Sequence, residues 1–235
     1  MKRKWLLMLA VIVLFAGAAL AEALVGDASV SGPMPLPTAT PAPRLPLLVN
    51  NDNPLPDGYQ PQELVKLYDH KRSFKLSDSN IYMEAHVFKA MNEMFLAARK
   101  DGIKGFIVTS GYRTLKEQTK LFKNDKKGVA AKPGHSEHET GLAFDVTAFG
   151  NENFAKTAHF KWLRKNCWDY GFIIRYPKGK EDITGIVYEP WHYRYVGMEC
   201  AQAIGALGGY VTLEEYCAVG GDVSQLQGPL IPGVE

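Results

Sequence analysis

Metal-binding side chains are concentrated at residues 133–146, in the segment PGHSEHETGLAFDV. It holds His135, His138 and Asp145, and imidazole and carboxylate groups both bind divalent metals. Because a buried charge is costly unless it is paired or bound to a metal, this density of ionisable groups predicts a metal site. Gly141 permits a turn that could bring either histidine to Asp145.

A third ligand candidate lies in the segment YEPWHYRY, where His192 opens a predicted strand. Two imidazoles and one carboxylate with a vacant fourth position are typical of catalytic zinc, which lowers the pKa of bound water to about 7. Glu189 precedes Pro190, and a residue before proline is held extended. We therefore expect Glu189 to stay off the metal and act as the general base, with Asp182 and Glu139 as the alternatives.

Local patterns predict the elements that position these side chains. The strand GFIVTS delivers the chain to Arg113, and Thr114 with Glu117 forms a capping box that starts a helix. In LAFDVT, the alternation places Asp145 away from the most apolar face. In the helix after Arg113, three side chains are expected to share one face: Leu115, Gln118 and Phe122.

The remaining segments predict a mixed fold. Helices are expected over residues 84–100 and about 153–170, and Thr212 with Glu215 should begin a last short helix. FIIRY, GIVYE and HYRYV are predicted strands. Few helices with mostly adjacent short strands indicate an α+β domain, with a small antiparallel sheet flanked by helices.

The two ends of the chain differ in composition from the middle. Residues 1–21 have a basic start, an apolar run and an A-x-A site, which predict a signal peptide, with an uncleaved membrane anchor as the alternative. Residues 22–46 form a proline-rich spacer, residues 47–218 the folded domain, and residues 219–235 a flexible tail. We therefore expect an extracytoplasmic monomer that contacts the membrane only through such an anchor.

Overall composition excludes other classes of protein. The chain has 235 residues, of which 46% are hydrophobic and 22% charged, which is ordinary for a globular domain. Its formal net charge of +2 gives no indication of nucleic-acid binding. Three cysteines occur without a CxxC spacing, which favours buried thiols, or one incidental bridge, over a cysteine-ligand metal site.

Three separated segments, SGYRTLKEQ, PGHSEHETGLAFDV and EPWHYRYVG, resemble the signature segments of the VanY-type D-alanyl-D-alanine carboxypeptidases. These are zinc peptidases of bacterial peptidoglycan. LVNNDNPLPDGYQP is also similar to that family, so the likeness spans about Leu47 to Tyr216. It implies the VanY-type, hedgehog-like zinc peptidase fold, which agrees with the α+β assignment.

The resemblance also implies roles for individual residues. It gives His138, Asp145 and His192 as the ligands of one zinc ion per chain. It gives Glu189 as the general base and Arg113 as a residue that orients substrate or stabilises the oxyanion. His138 is preferred over the neighbouring histidine because the family motif places its ligand there.

Two further residues are implied to line the substrate cleft, Ser136 and Gln118. From sequence alone, Ser136 could be a turn residue, and Gln118 a polar group on a helix surface. An aromatic group after the proline is expected to form core and cleft wall rather than a special aromatic site: Trp191, Tyr193 and Tyr195. Three other histidines are expected to be ordinary helix or loop residues: His70, His86 and His159.

The predicted function is therefore that of an exported zinc-dependent D,D-carboxypeptidase, acting on the terminal D-Ala-D-Ala bond of peptidoglycan stem peptides. Two alternatives stay open. An L,D-carboxypeptidase acting on tetrapeptide stems would share the zinc chemistry and differ in pocket shape. A non-catalytic wall-binding module on the same fold would be expected to lack a ligand or the base, and all four residues are present.

Overall fold

The computed structural model describes residues 45–126, 130–150 and 153–226. The predicted signal peptide therefore lies outside the described residues, as do most of the spacer and the end of the predicted tail. Within the described part of the chain, no helix is both long and apolar enough to cross a membrane.

The strands form one five-stranded sheet, in the order β2-β4-β5-β7-β6, and a separate ribbon of β1 with β3. Their bounds are β1 Leu64–Lys66, β2 Lys75–Leu76, β3 Tyr82–Glu84, β4 Phe106–Ser110, β5 Ala143–Ala148, β6 Phe172–Ile174 and β7 His192–Tyr195. Neighbouring strands from β4 to β6 are antiparallel, as expected. The edge pair of β2 with β4 is parallel, because the chain crosses over through β3 and a long helix between them.

The α-helices flank this sheet. Their bounds are α1 Ala85–Lys100, α2 Leu115–Asn124, α3 Ala158–Asn166, α4 Glu181–Thr184, α5 Met198–Ala206 and α6 Leu213–Ala218. Short 3₁₀ helices cover Leu67–Asp69, Glu137–Thr140, Phe154–Lys156, Cys167–Tyr170 and Val223–Gln225. The predicted capping boxes are confirmed, since Thr114 caps α2 and Thr212 caps α6 with reciprocal side-chain bonds.

The helix expected over residues 153–170 is three elements rather than one. A 3₁₀ turn ends at Thr157, whose hydroxyl accepts a hydrogen bond from the Phe160 N–H and so starts α3 as a new helix. A second 3₁₀ turn follows α3 and ends at Gly171, which adopts a left-handed conformation with φ of 81°. The predicted stop at Gly171 is therefore confirmed, and the continuity of the helix is wrong.

The predicted strand GIVYE is also wrong, because residues 185–189 are irregular. Gly185 closes α4 in a left-handed conformation, and the Ile186 N–H donates to the Thr184 hydroxyl instead of to a neighbouring strand. Such local side-chain bonds compete with a sheet ladder. The segment keeps one backbone bond of interest, from the Glu189 N–H to the Tyr176 carbonyl (3.2 Å), which fixes the chain just before Pro190.

The main core lies between α1 and the sheet. The helical spacing in α1 predicted its buried face, which is confirmed: Val87, Met91, Met94, Phe95 and Ala98. Phe95 stacks on Phe106 at 4.4 Å between ring centroids, and Phe144 packs against Tyr193 at 5.6 Å. A second buried cluster joins β6 to α5 and α6. The three cysteines are free thiols, and Cys167 and Cys200 are buried.

Candidate active site

Three elements bring the predicted ligands to one point. In the antiparallel pairing of β5 with β7, Asp145 lies directly opposite His192. His138 lies on the 3₁₀ helix Glu137–Thr140, which ends at Gly141 with φ of 75° so that the chain can enter β5. One ligand atom from each of the three side chains lies within 4.8 Å of the others.

The ring nitrogens of the two histidines are oriented as metal ligation requires. His192 Nδ1 is 2.9 Å from Asp145 Oδ1, and His138 Nε2 is 3.4 Å from Asp145 Oδ2. His138 Nδ1 donates to the Gly111 carbonyl at 2.8 Å, since a carbonyl can only accept. His192 Nε2 lies 3.3 Å from Glu137 Oε2. Metal-bound histidines usually hold their second N–H in this way, so the site fits a metal ion such as zinc.

Burial and neighbouring charges shift the pKa of each candidate ligand. Burial favours the neutral form of Asp145, but the nearby His138 and His192 outweigh it and hold its pKa well below the usual range. Burial lowers the pKa of His138. Burial also opposes the charged form of His192, yet its hydrogen bonds to Asp145 and Glu137 raise its pKa to about 9. In the metal-free protein, the two carboxylates therefore favour the protonated form of His192.

Glu189 lies beside this cluster but outside it. Its Oε2 is 3.9 Å from His192 Nδ1, and its side chain is 19% exposed. Burial is the main cause that raises the pKa of Glu189, with Asp145 adding to it and His192 and Arg113 opposing it. A carboxylate with a raised pKa at the wall of a cleft is suited to accept and release a proton.

Arg113 reaches the same cluster from the turn after β4. Its Nη2 lies 3.9 Å from Asp145 Oδ2 and donates to Ser110 Oγ at 3.2 Å, while Nη1 donates to Gln118 Oε1 at 2.7 Å. The main-chain N–H of Arg113 donates to the His138 carbonyl at 3.1 Å. These contacts fix the guanidinium at the metal cluster rather than leaving it on an exposed turn.

Gln118 is fully buried, whereas two side chains expected on its helix face, Leu115 and Phe122, are 60% and 41% exposed. The three residues lie at helical spacing on α2, as predicted, but only Gln118 is buried. Its Nε2 donates to the Ala131 carbonyl at 2.7 Å, which ties α2 to the loop before the 3₁₀ helix.

Ser136 is the N-cap of that 3₁₀ helix and is buried. It therefore takes part in a local cap and also faces the cleft. The cleft has a volume of about 720 Å³. It is lined by all seven predicted site residues: Arg113, Gln118, Ser136, His138, Asp145, Glu189 and His192.

The alternatives to these residues lie elsewhere. His135 Nδ1 is 2.9 Å from the Asn50 carbonyl, and His135 is not part of the metal cluster. Glu139 Oε2 accepts the N–H groups of Gly134 and Ser136, so it stabilises the loop. Asp182 lies on α4 and does not line the cleft.

The aromatic group divides between core and cleft as expected. Trp191 is 40% exposed and lines the cleft. Tyr193 is fully buried, and Tyr195 packs against the main core. Of the other histidines, His159 Nε2 lies 2.7 Å from the Lys104 carbonyl, and His86 Nδ1 lies 3.3 Å from Glu84.

Sequence reasoning missed a buried ion cluster next to the candidate metal ligand His192. Glu137, Arg175 and Arg194 are each 1% exposed or less, and both guanidinium groups contact the same carboxylate. Burial disfavours the charged form of Glu137, but the two arginines and His192 hold its pKa well below the usual range. One signal was available, since the alternation in HYRY places Arg194 on the same strand face as His192.

Comparison with known proteins identifies the family. The family model described as VanY, D-alanyl-D-alanine carboxypeptidase, matches residues 80–198. The putative carboxypeptidase YodJ of Bacillus subtilis is 42% identical over 182 residues, covering 72% of this chain and 65% of that protein. The chain thus spans less than two thirds of the length of this relative.

Two solved structures share the fold. The LdcB LD-carboxypeptidase is 40% identical with a TM-score of 0.64, covering 73% of this chain and 84% of that chain. A variant of the vancomycin-resistance D,D-pentapeptidase VanY in complex with Zn(II) is 37% identical with a TM-score of 0.59, covering 72% and 97%. The chain folds as an α+β domain of the same kind, and it belongs to the VanY D-alanyl-D-alanine carboxypeptidase family.

Proposed function

We propose that the protein is a zinc-dependent D,D-carboxypeptidase that hydrolyses the terminal D-Ala-D-Ala bond of peptidoglycan stem peptides. The observation that carries the proposal is the convergence of His138, Asp145 and His192 with Glu189 and Arg113 in one cleft. The zinc complex of the VanY relative and the family description support the metal and the substrate class.

The three ligands would hold one zinc ion per chain. When bound, zinc supplies Lewis acidity for the scissile carbonyl and lowers the pKa of a water molecule. The remaining chemistry belongs to the chain. Glu189 takes a proton from the attacking water and delivers it to the leaving amine, so that the amide bond breaks and a terminal D-alanine is released.

Arg113 would stabilise negative charge on the substrate. Its guanidinium is already oriented by Gln118 and Ser110, so little reorganisation is needed when charge develops on the carbonyl oxygen. Ser136 and Gln118 line the same cleft and would contact the stem peptide.

The decisive variant is Glu189→Gln, because glutamine keeps the side-chain volume but does not act as a proton acceptor in the reaction. We expect zinc content and fold to be retained and turnover of a pentapeptide stem to fall about 10²- to 10⁴-fold, about 3 to 5 kcal/mol of barrier. The matched control is His138→Ala, which should lose zinc and activity together. Wild-type turnover in a zinc-loaded Glu189→Gln variant would show that another residue is the base.

A second candidate function is L,D-carboxypeptidase activity on tetrapeptide stems, favoured by the likeness to the LdcB LD-carboxypeptidase. Incubating the protein with pentapeptide and tetrapeptide stems, and identifying the products by mass spectrometry, distinguishes the two activities. Loss of D-alanine from the tetrapeptide alone would replace the D,D assignment. No cleavage of either peptide by zinc-loaded protein would instead favour a wall-binding module.

Export is part of the same proposal, since peptidoglycan lies outside the cytoplasm. The basic start, the apolar run and Ala19-x-Ala21 support cleavage of the leader. Amino-terminal sequencing of the mature protein should find Glu22 first. Intact Met1 in the membrane fraction would show an anchor instead.

A further inference from the structure

Glu137 occupies a position that the proposed chemistry does not explain. It is adjacent in sequence to the ligand His138 and lines the cleft, yet its side chain is completely buried. Its Oε2 lies 3.3 Å from Nε2 of the other histidine ligand, His192. The imidazole of His192 is therefore held between two carboxylates, with Asp145 on Nδ1 and Glu137 on Nε2.

Two arginines hold Glu137 in this orientation. Its Oε1 accepts hydrogen bonds from Arg175 Nε at 2.6 Å and from Arg194 Nη1 at 2.9 Å. Removing a carboxylate from water is costly, and opposite charges at hydrogen-bonding distance offset that cost. Because both guanidinium groups occupy Oε1, Oε2 stays directed at His192.

The arginines are in turn fixed by distant parts of the chain. Arg175 makes a bidentate contact with Glu214 of α6, at 2.8 and 2.6 Å. Arg194 Nη2 donates to the Leu47 carbonyl at 2.7 Å. The carboxylate behind His192 is therefore anchored both to the start of the domain and to its last α-helix.

We propose that Glu137 is the positioning residue of the zinc site. It accepts the Nε2–H of His192, so that Nδ1 is the nitrogen presented to the metal beside Asp145. This inference rests on the proposed function only in taking the metal cluster to bind zinc. In this role Glu137 acts through the orientation and proton position of the His192 ring, and not directly on the substrate.

The test compares zinc affinity in Glu137→Gln and Glu214→Gln. Both changes remove one carboxylate charge from Arg175, but only the first removes the carboxylate on His192. Competition with a chelator should show zinc binding weakened by about 10- to 100-fold in Glu137→Gln, the range typical of lost outer partners of a metal ligand. In Glu214→Gln, we expect less than a threefold change.

A spectroscopic readout accompanies the affinities. Long-range ¹H–¹⁵N correlation spectra of histidine-labelled, zinc-loaded wild type should show the His192 proton on Nε2 and the metal on Nδ1. Zinc on Nε2 of His192 would overturn the proposal, and this measurement needs no variant to fold. Equal zinc affinities in wild type and Glu137→Gln, or equal losses in both variants, would also overturn it.

Failure of the proposed function would look different. It would appear in the wild type as zinc-loaded protein without peptidase activity, while the difference between the two variants would persist.

Discussion

The two faces of one strand pair, β5 with β7, are stabilised by different kinds of interaction. On the face toward α1, Phe144 stacks with Tyr193 in a fully buried aromatic core. On the opposite face, Asp145 pairs with His192, and Arg194 pairs with Glu137. Alternation along each strand separates the two sets by a single residue step.

The two faces differ in how specific the contacting residues must be. An apolar core depends on volume and shape, so its members can be exchanged at moderate cost. A buried ionic group depends on a particular partner, because loss of that partner leaves an unpaired charge. Variation on the first face should therefore change stability alone, and variation on the second face should change stability, titration and metal binding together.

The largest expected effect on stability is that of Phe144→Ala. Loss of a buried phenylalanine ring leaves a cavity and should lower the free energy of unfolding by about 3 to 5 kcal/mol. Below its lowered melting temperature, the variant should still bind one zinc ion per chain, because Phe144 faces away from the ligands. Denaturant titration with metal analysis measures both quantities. Loss of zinc at full stability would contradict the separation of the two faces.

A change of pH is expected to have an intermediate effect on the stability of the metal-free protein. The pKa values of Asp145 and Glu137 are depressed in the folded state, so the stability they contribute is present above about pH 4.5 and is lost as pH falls. The pKa of His192 is raised to about 9, so its contribution is present below about pH 6.5 and is lost as pH rises toward 9. Each group changes stability by up to about 1.4 kcal/mol per pH unit.

Denaturant unfolding of metal-free protein between pH 3 and 10 should therefore show a maximum near pH 4.5 to 6.5. Asp145→Asn should weaken the dependence of stability on pH on both the acidic and the basic side of this maximum. The substitution removes one titrating group and the main partner of His192. Phe144→Ala should shift the whole curve down without changing its shape. Identical profiles of stability against pH for wild type and Asp145→Asn would show that the Asp145–His192 pair does not cause the pH dependence.

The smallest expected effect on stability is that of Tyr193→Phe, on the apolar face. The Tyr193 hydroxyl is buried and has no hydrogen-bond partner among the described residues. An unpaired buried polar group costs about 1 to 3 kcal/mol, so Tyr193→Phe should leave stability unchanged or raise it by about 1 kcal/mol. Thermal unfolding of the two proteins measures this, and a clear loss of stability would indicate a partner for the hydroxyl.

Local signals in the sequence predicted much of the fold and of the cleft. Capping boxes at Thr114 and Thr212, the buried face of α1, and the strands around Asp145 all depend on neighbours within a few residues. The helix α5 was not predicted, because it starts after Gly197 without a side-chain cap. The ribbon of β1 with β3 was missed as well, since each strand has only three residues.

The ion cluster behind the candidate metal site could not be predicted from spacing. Glu137 is 38 residues from Arg175 and 57 from Arg194, and only the folded sheet brings these side chains together. An arginine in a short apolar strand indicates that a charged side chain is buried, but it does not identify the residue that pairs with it. The three ligand candidates were easier, because their residue types are informative on their own.

The contact between His138 and Gly111 has a consequence for protein engineering. The Gly111 carbonyl accepts the Nδ1–H of His138, and a Cβ atom at this position would collide with the Tyr82 carbonyl and lie 2.8 Å from Ile81 Cγ2. A library that varies only residues with functional groups would treat position 111 as free. Any larger side chain there would displace the backbone oxygen that orients His138, so the orientation of this candidate ligand depends partly on a residue that has no side chain.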